Sequence, residues 1–147
     1  MVDRSLSEIT LRKFEHPGGL KGRDLVKKVC LSLGLLNLGD SRDAIVDILH
    51  VILLKKSLSS GEVEAEVHHR REVEGLAIAG ITPPNLRRQL KRLKDLHLVE
   101  KHEGKFRIVD GLSLHEAFVT RVKPVHLDNI TQRIEQYLKE VDCSIQE

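Results

Sequence analysis

Residues Thr82 to Val109 read T-P-P-N-L-R-R-Q-L-K-R-L-K-D-L-H-L-V-E-K-H-E-G-K-F-R-I-V. Thr82 is a helix-capping residue type, and Pro83 or Pro84 suits a first helical turn, where a missing amide proton costs nothing. Leu86, Leu90, Leu93 and His97 recur at spacings of four, three and four, which aligns them on one helix face. Arg88, Lys91, Arg92 and Asp95 fall on the opposite face, with Asn85 and Arg87 on the flanks. Leu98-Val99 and Phe106-Arg107-Ile108-Val109 follow as two short strands joined by a turn at Glu103-Gly104-Lys105. A helix with a basic outer face therefore leads directly into a small hairpin.

The charge of the chain is arranged around this stretch. The net charge is only +2, so the molecule as a whole is no polycation. Thr82 to Val109 nevertheless holds eight Lys/Arg against three acids, while Gly61 to Glu74 holds five glutamates against two arginines. A single charge run is usually just a solvated face. Here the positive run coincides with the two elements that such a layout would present to a polyanion.

Ala79-Gly80-Ile81-Thr82 before the helix, and Leu96-His97-Leu98-Val99-Glu100-Lys101 after it, complete a pattern that resembles the winged-helix branch of the helix-turn-helix proteins. In that family a glycine turn precedes a Ser/Thr-capped recognition helix, which runs into the first strand of a wing. Many members have glycine where this chain has His97. The resemblance implies a mainly α fold: a winged helix-turn-helix domain over 41–110 with a small β-hairpin wing. Around it lie an N-terminal helical extension (1–40) and C-terminal amphipathic helices (111–147), a possible dimerisation region.

What the resemblance implies about function is sequence-specific binding of double-stranded DNA, as a transcriptional regulator acting as a dimer. The helix over 85–97, about 20 Å long by its rise per residue, would lie in the major groove with the 98–109 hairpin as wing. Arg88 and Arg92 suit bidentate bonds to guanine, and Asn85 or Gln89 pairing with adenine, although Gln89 lies nearer the core face. Arg87, Lys91 and Lys94 would hold phosphates. In the wing, Lys101, His102, Lys105 and Arg107 would meet the backbone or the minor groove. The alternative is a winged-helix module that binds protein or RNA within a larger assembly, which the acidic stretch at 62–74 and the low net charge favour.

The remaining chain supplies a core and two flanking regions. Apolar residues make up 40% and aromatics only 3%, so the core must be aliphatic. Ser5-Leu6-Ser7-Glu8 fits a capping box opening a short helix that ends before Pro17. Asp24 to Asn37 predicts a helix with Leu25, Val29, Leu33 and Leu36 inward. Asp40 or Ser41 caps the next helix, apolar almost all round (Ile45, Ile48, Leu49, Ile52, Leu53), as befits the centre of a bundle. Ser59-Ser60-Gly61-Glu62 opens a further helix to about Glu74 with a thin seam of Val63, Val67 and Val73.

Ser113 caps a helix expected to stop at Lys123-Pro124, and Asp128 starts a final one. On that last helix Leu127, Ile130, Ile134, Leu138 (or Tyr137) and Val141 form an a/d-like stripe. It either packs on its own domain or forms a two-fold contact between copies.

No chemistry-bearing motif stands out. The loop at His16-Pro17-Gly18-Gly19 lacks the Gly-Lys-Ser/Thr ending of a phosphate-binding loop. His68 and His69 point about 100° apart on a helix, and no Cys or acidic cluster completes a metal set. Cys30 and Cys143 match no redox spacing, and Cys30 reads as a small buried hydrophobe. No enzymatic activity, cofactor or metal is expected. No apolar run spans a bilayer and no signal peptide is evident, so a cytoplasmic protein is expected.

Overall fold

The computed structural model describes residues 3–40 and 42–146. The helices α1 (Gly22–Ser32), α2 (Ala44–Lys55), α3 (Ser60–Val73) and α4 (Pro83–Asp95) are followed by strands β1 (Val99–His102) and β2 (Lys105–Ile108). After a single turn at Val109–Gly111 come α5 (Leu114–Ala117), a π-helical run Phe118–Asp128, and α6 (Asn129–Ile145). The molecule is mainly helical with one two-stranded antiparallel hairpin, Val99 facing Ile108 and His102 facing Lys105.

The core is built round α2. Every residue from Ala44 to Ile52 is buried, with Val46, Ile48, Leu49 and Ile52 at 0% exposure. Such a helix must be covered on all sides, and α1, α3, α4 and β2 pack on it. Each fully buried aliphatic side chain contributes roughly 1.5–3 kcal/mol, which makes α2 the main stabilising element. Ser41, offered above as its cap, lies outside the described residues. Asp40 caps nothing here: its carboxylate accepts from the Asn37 amide, while Asp43 occupies the N-cap position.

Two charged side chains reach this core with α2 and are balanced there. Asp47 (1% exposed) receives the Arg23 guanidinium of α1 at 2.9 and 3.1 Å and the Arg71 guanidinium of α3. Asp43 bonds the same two arginines, at 2.7 and 3.1 Å. Arg71 also donates to the Ala77 carbonyl at 2.6 Å, tying the cluster to the connector before α4. Two arginines and two aspartates thus lock three helices and one loop at fixed angles.

The N-terminal segment departs from expectation. Residues 3–20 form no helix, and the Ser5 hydroxyl donates to the Glu8 carboxylate instead of capping a helical turn. A helix confined between Ser5 and Pro17 would be too short to repay its nucleation. Packing takes the segment elsewhere: Arg12 donates to the carbonyls of Leu31 (2.8 Å) and Leu36 (3.1 Å) and to Asn37 Oδ1 (3.1 Å). Gly34, at φ 71°, lets the N-terminal segment approach so closely that a Cβ there would lie 2.5 Å from the Thr10 carbonyl oxygen.

Helix α1 is likewise shorter than its expected Asp24–Asn37 span, and it buries Val26, Cys30 and Leu31 while Leu25 is 37% exposed. Leu35 and Leu36 enter the core from the loop after the helix. A single core therefore runs from Val26 to Val122, and the boundary expected at residue 40 marks no break in it.

Helix α3 opens with the expected capping box: Ser59 Oγ accepts from the Glu62 amide, and the Glu62 carboxylate accepts from the Ser59 amide. Val63 and Val67 are fully buried, but Val73 is 70% exposed at the helix end.

The C-terminal region holds the largest correction. Ser113 caps α5 as expected, yet the helix does not stop at Pro124. It continues through the π-helical run into α6, giving one uninterrupted rod over 114–145. Proline lacks the amide donor and crowds the carbonyl four residues back, and the wider π turn relieves both problems. Ala117 and Val122 reach the core, whereas no described residue after Val122 is buried.

Candidate nucleic-acid interface

Local sequence fixes α4 on the body. Thr82 Oγ1 accepts from the Asn85 amide (3.4 Å), and Pro83 and Pro84 occupy the first turn. Leu86, Leu90 and Leu93 are buried as the spacing predicts. Ahead of the cap, Gly80 turns the chain at φ 86° and Ile81 drops into the core. The Asn85 amide nitrogen closes this turn by donating to the Gly80 carbonyl at 2.7 Å.

With the leucines inward, Arg87, Arg88, Lys91, Arg92 and Lys94 are all exposed. Their partners differ. Lys91 is held by Asp95 at 2.7 Å, one turn on. Among the described residues, Arg87, Arg88, Arg92 and Lys94 form no salt bridge, so their charge faces solvent uncompensated.

Arg88 and Arg92 line a polar groove of about 480 Å³ together with Arg42 and one acid, Asp40. Arg42 is exposed, and α2 packing on α4 brings it there from far along the chain. Sequence reasoning missed it, because its only local signal was a position just before a helix.

The side chains expected to read adenine are already occupied. Asn85 gives its nitrogen to Gly80, and its oxygen accepts from Gln89 Nε2 at 3.1 Å. Gln89 Oε1 in turn accepts from Arg92 Nη1 at 2.9 Å. This chain of amides runs from the turn to a guanidinium and orients Arg92. Asn85 and Gln89 are therefore positioning residues in this geometry.

The hairpin divides in the same way. Glu103 and Gly104 take φ 51° and 77°, the two positive values of a tight two-residue turn. Lys101, His102 and Lys105 are exposed, with the Lys101 ammonium 5.6 Å from the Phe106 ring centre. His102 lies 3.8 Å from the Glu103 carboxylate. Arg107 instead bonds Glu100 directly across the strands at 2.7 Å, and Glu100 also accepts from the Asp110 amide. Arg107 braces the hairpin and is not free for a partner.

Between helix and hairpin, His97 departs from the expected inward face. The helix ends at Asp95, Leu96 takes the core position, and His97 is exposed at φ 67°. That is the left-handed conformation for which glycine is the easier residue. Its Nδ1 lies 2.9 Å from Nε2 of His126, which docks the C-terminal rod on the end of α4. Burial, and secondarily the charge of His97, lowers the pKa of His126.

The stripe on the rod is partly covered by its own body only at its first two positions. Leu127 and Ile130 are half-buried, and Ile134, Leu138 and Val141 are 52%, 58% and 51% exposed. Beyond Ile130 the option of packing back on the domain is not taken.

Among the described residues, no group of three or more His, Cys, Asp or Glu is placed to hold a metal ion. Burial pushes the Cys30 thiol up to about 12, so it stays protonated and unreactive. No helix among the described residues is long and apolar enough to cross a membrane. No family model, curated protein or solved structure matches the chain.

Proposed function

We propose that the protein is a double-stranded DNA-binding regulator of winged-helix architecture, with α4 as the recognition helix and the 98–109 hairpin as wing. One observation carries this reading: four cations on the outer face of α4 stand free of acidic partners beside a polar groove that adds Arg42. Surface ion pairs contribute only about 0–1 kcal/mol, so the weight of this observation lies in where the cations cluster, on one helix face beside a groove to which Arg42 is brought from a distant segment. Arg88 and Arg92 are the base-reading candidates. Arg42, Arg87 and Lys94 are phosphate contacts at the helix, as are Lys101 and Lys105 in the wing.

The structure also narrows the earlier candidates. Asn85 and Gln89 spend their amides on Gly80 and on each other, and Lys91 and Arg107 are held by carboxylates, whereas Arg92 gives one N–H to Gln89 and keeps the rest of its guanidinium for a partner. Asn85, Gln89, Lys91 and Arg107 support the site more readily than they touch DNA.

The test is fluorescence anisotropy on genomic duplex fragments at two salt concentrations. Each phosphate contact should add roughly −0.9 to the log–log salt slope. Arg88→Ala with Arg92→Ala is expected to abolish preference among sequences, and Arg42→Ala to weaken all sequences alike. Absence of salt-sensitive binding, or equal sequence preference in the double variant, overturns the proposal. In the first case a co-purifying protein or RNA would point to the interaction-module alternative.

A further inference from the structure

The exposed stripe of the C-terminal rod has a charge pattern that fits it to a second copy of itself in one orientation only. With Leu127, Ile134 and Val141 at a positions, Ile130 and Tyr137 fall at d, Leu138 and Ile145 at e, and Arg133 and Glu140 at g. None of the residues 129–145 is buried, and Tyr137 and Ile145 are 67% and 75% exposed. Contiguous apolar surface of this kind marks an interaction site.

We infer that two copies pair through this stripe antiparallel, about a two-fold axis between residues 135 and 136. This rests on the dimer named in the sequence reading and adds its geometry. In that register Ile134 meets Tyr137 of the second copy, Ile130 meets its Val141, and Leu127 lies beside its Ser144 and Ile145. The g positions then face one another, so Arg133 meets Glu140 of the second copy, and the pair occurs twice by symmetry. Among the described residues neither Arg133 nor Glu140 has a salt-bridge partner within its own chain. Arg133 does donate to Gln136, at 2.7 Å.

The other arrangements fail on the same residues. Sliding the antiparallel pair by one heptad sets Arg133 against Arg133, or Glu140 against Glu140, and loses a core layer. Parallel pairing opposes g to e, which puts Arg133 against Leu138 and Glu140 against Ile145. Both charges would then lose solvent to an apolar neighbour without a counter-ion.

The antiparallel register also sets the spacing of the two bodies. His126, which touches the end of α4, recurs about 28 Å away along the rod axis in the second copy, at 1.5 Å per residue. That is the scale of one DNA turn, about 34 Å between half-sites. A parallel pair would instead hold both bodies at the same level.

Charge reversal tests the orientation on the full chain, read by sedimentation equilibrium. Arg133→Glu and Glu140→Arg should each weaken self-association at least tenfold. An equimolar mixture of the two variants should recover it, because each then meets its complement. A second measurement uses spin labels on the native Cys143, which is exposed whereas Cys30 is buried. The labels should sit about 22 Å apart along the axis, for the same rise per residue.

A wild-type dimer that Ile134→Asp breaks, but that both charge variants leave intact, overturns the orientation and leaves the dimer standing. Labels at one level do the same. A wild-type chain that stays monomeric at millimolar concentration overturns both, while DNA binding is judged separately by its salt dependence.

Discussion

At Asp47 two guanidinium groups from different helices converge on one carboxylate inside an otherwise aliphatic core. Burying such a carboxylate is tolerable only while its partners stay in place. Asp47→Ala is expected to cost about 3–5 kcal/mol in urea unfolding, because Arg23 and Arg71 lose the more deeply buried of the two carboxylates they share. A loss below about 1 kcal/mol would mean that Asp43 alone balances the cluster.

Titration adds a second expectation at this scale. Burial alone would raise the Asp43 carboxyl, but hydrogen bonds from Arg23 and Arg71 outweigh it and hold the group below its ordinary range. That stabilisation is present above the unfolded carboxylate value of about 4 and is lost as pH falls through the lower folded value. His50 and His126 are both lowered, chiefly by burial, so the native state resists the proton that the unfolded chain takes up. Stability should therefore begin to fall as pH drops below about 6.5 and fall again below about 4. Unfolding midpoints at pH 8, 5.5 and 3.5 check this, and His50→Gln should flatten the first step.

At the scale of elements, two places show how local chemistry and packing share the work. The Thr82 cap and the proline start define where α4 begins, and hence which way its arginines face. Thr82→Ala should cost roughly 1 kcal/mol, with DNA affinity falling by no more than the lost helix order explains. The N-terminal segment has no helix of its own and depends on Arg12 and on the absence of a side chain at Gly34. Gly34→Ala meets both a positive φ and the Thr10 backbone, and should cost at least about 1–2 kcal/mol. Limited proteolysis is expected to cut before Arg12 in that variant and not in the wild type.

For the whole molecule, α6 and the body are separable in energy, whereas the first part of the rod adds Ala117 and Val122 to the core. No residue of α6 is buried, so ending the chain at Asp128 should leave the melting temperature of the body nearly unchanged. The same truncation should lower DNA affinity by about 10²-fold or more if two bodies bind one duplex together. Thermal unfolding beside anisotropy on a long duplex separates these effects. A large drop in melting temperature would show that the rod supports the fold itself.

The chain by itself determined the features whose cause lies within a few residues. The leucines of α4, its cap and prolines, the capping box at Ser59-Glu62, the positive-φ turn at Glu103-Gly104 and the all-round apolar α2 are set by hydrogen bonds and periodicities closing inside one element. Of the candidate site, that was enough to place the exposed cations of α4.

The pairing of Lys91 with Asp95 one turn on, and of Arg107 with Glu100 across the hairpin, also closes inside one element. Tertiary structure alone decided that α2 would carry Arg42 in beside Arg88 and Arg92. It also decided that 3–20 would form no helix, that α1 would bury Val26 while Leu25 stays 37% exposed, and that the rod would run through Pro124. The physical reason is common to all of these. A side chain's partner, or the face a helix buries, depends on what distant chain segments bring alongside it, and no spacing in the sequence records that encounter.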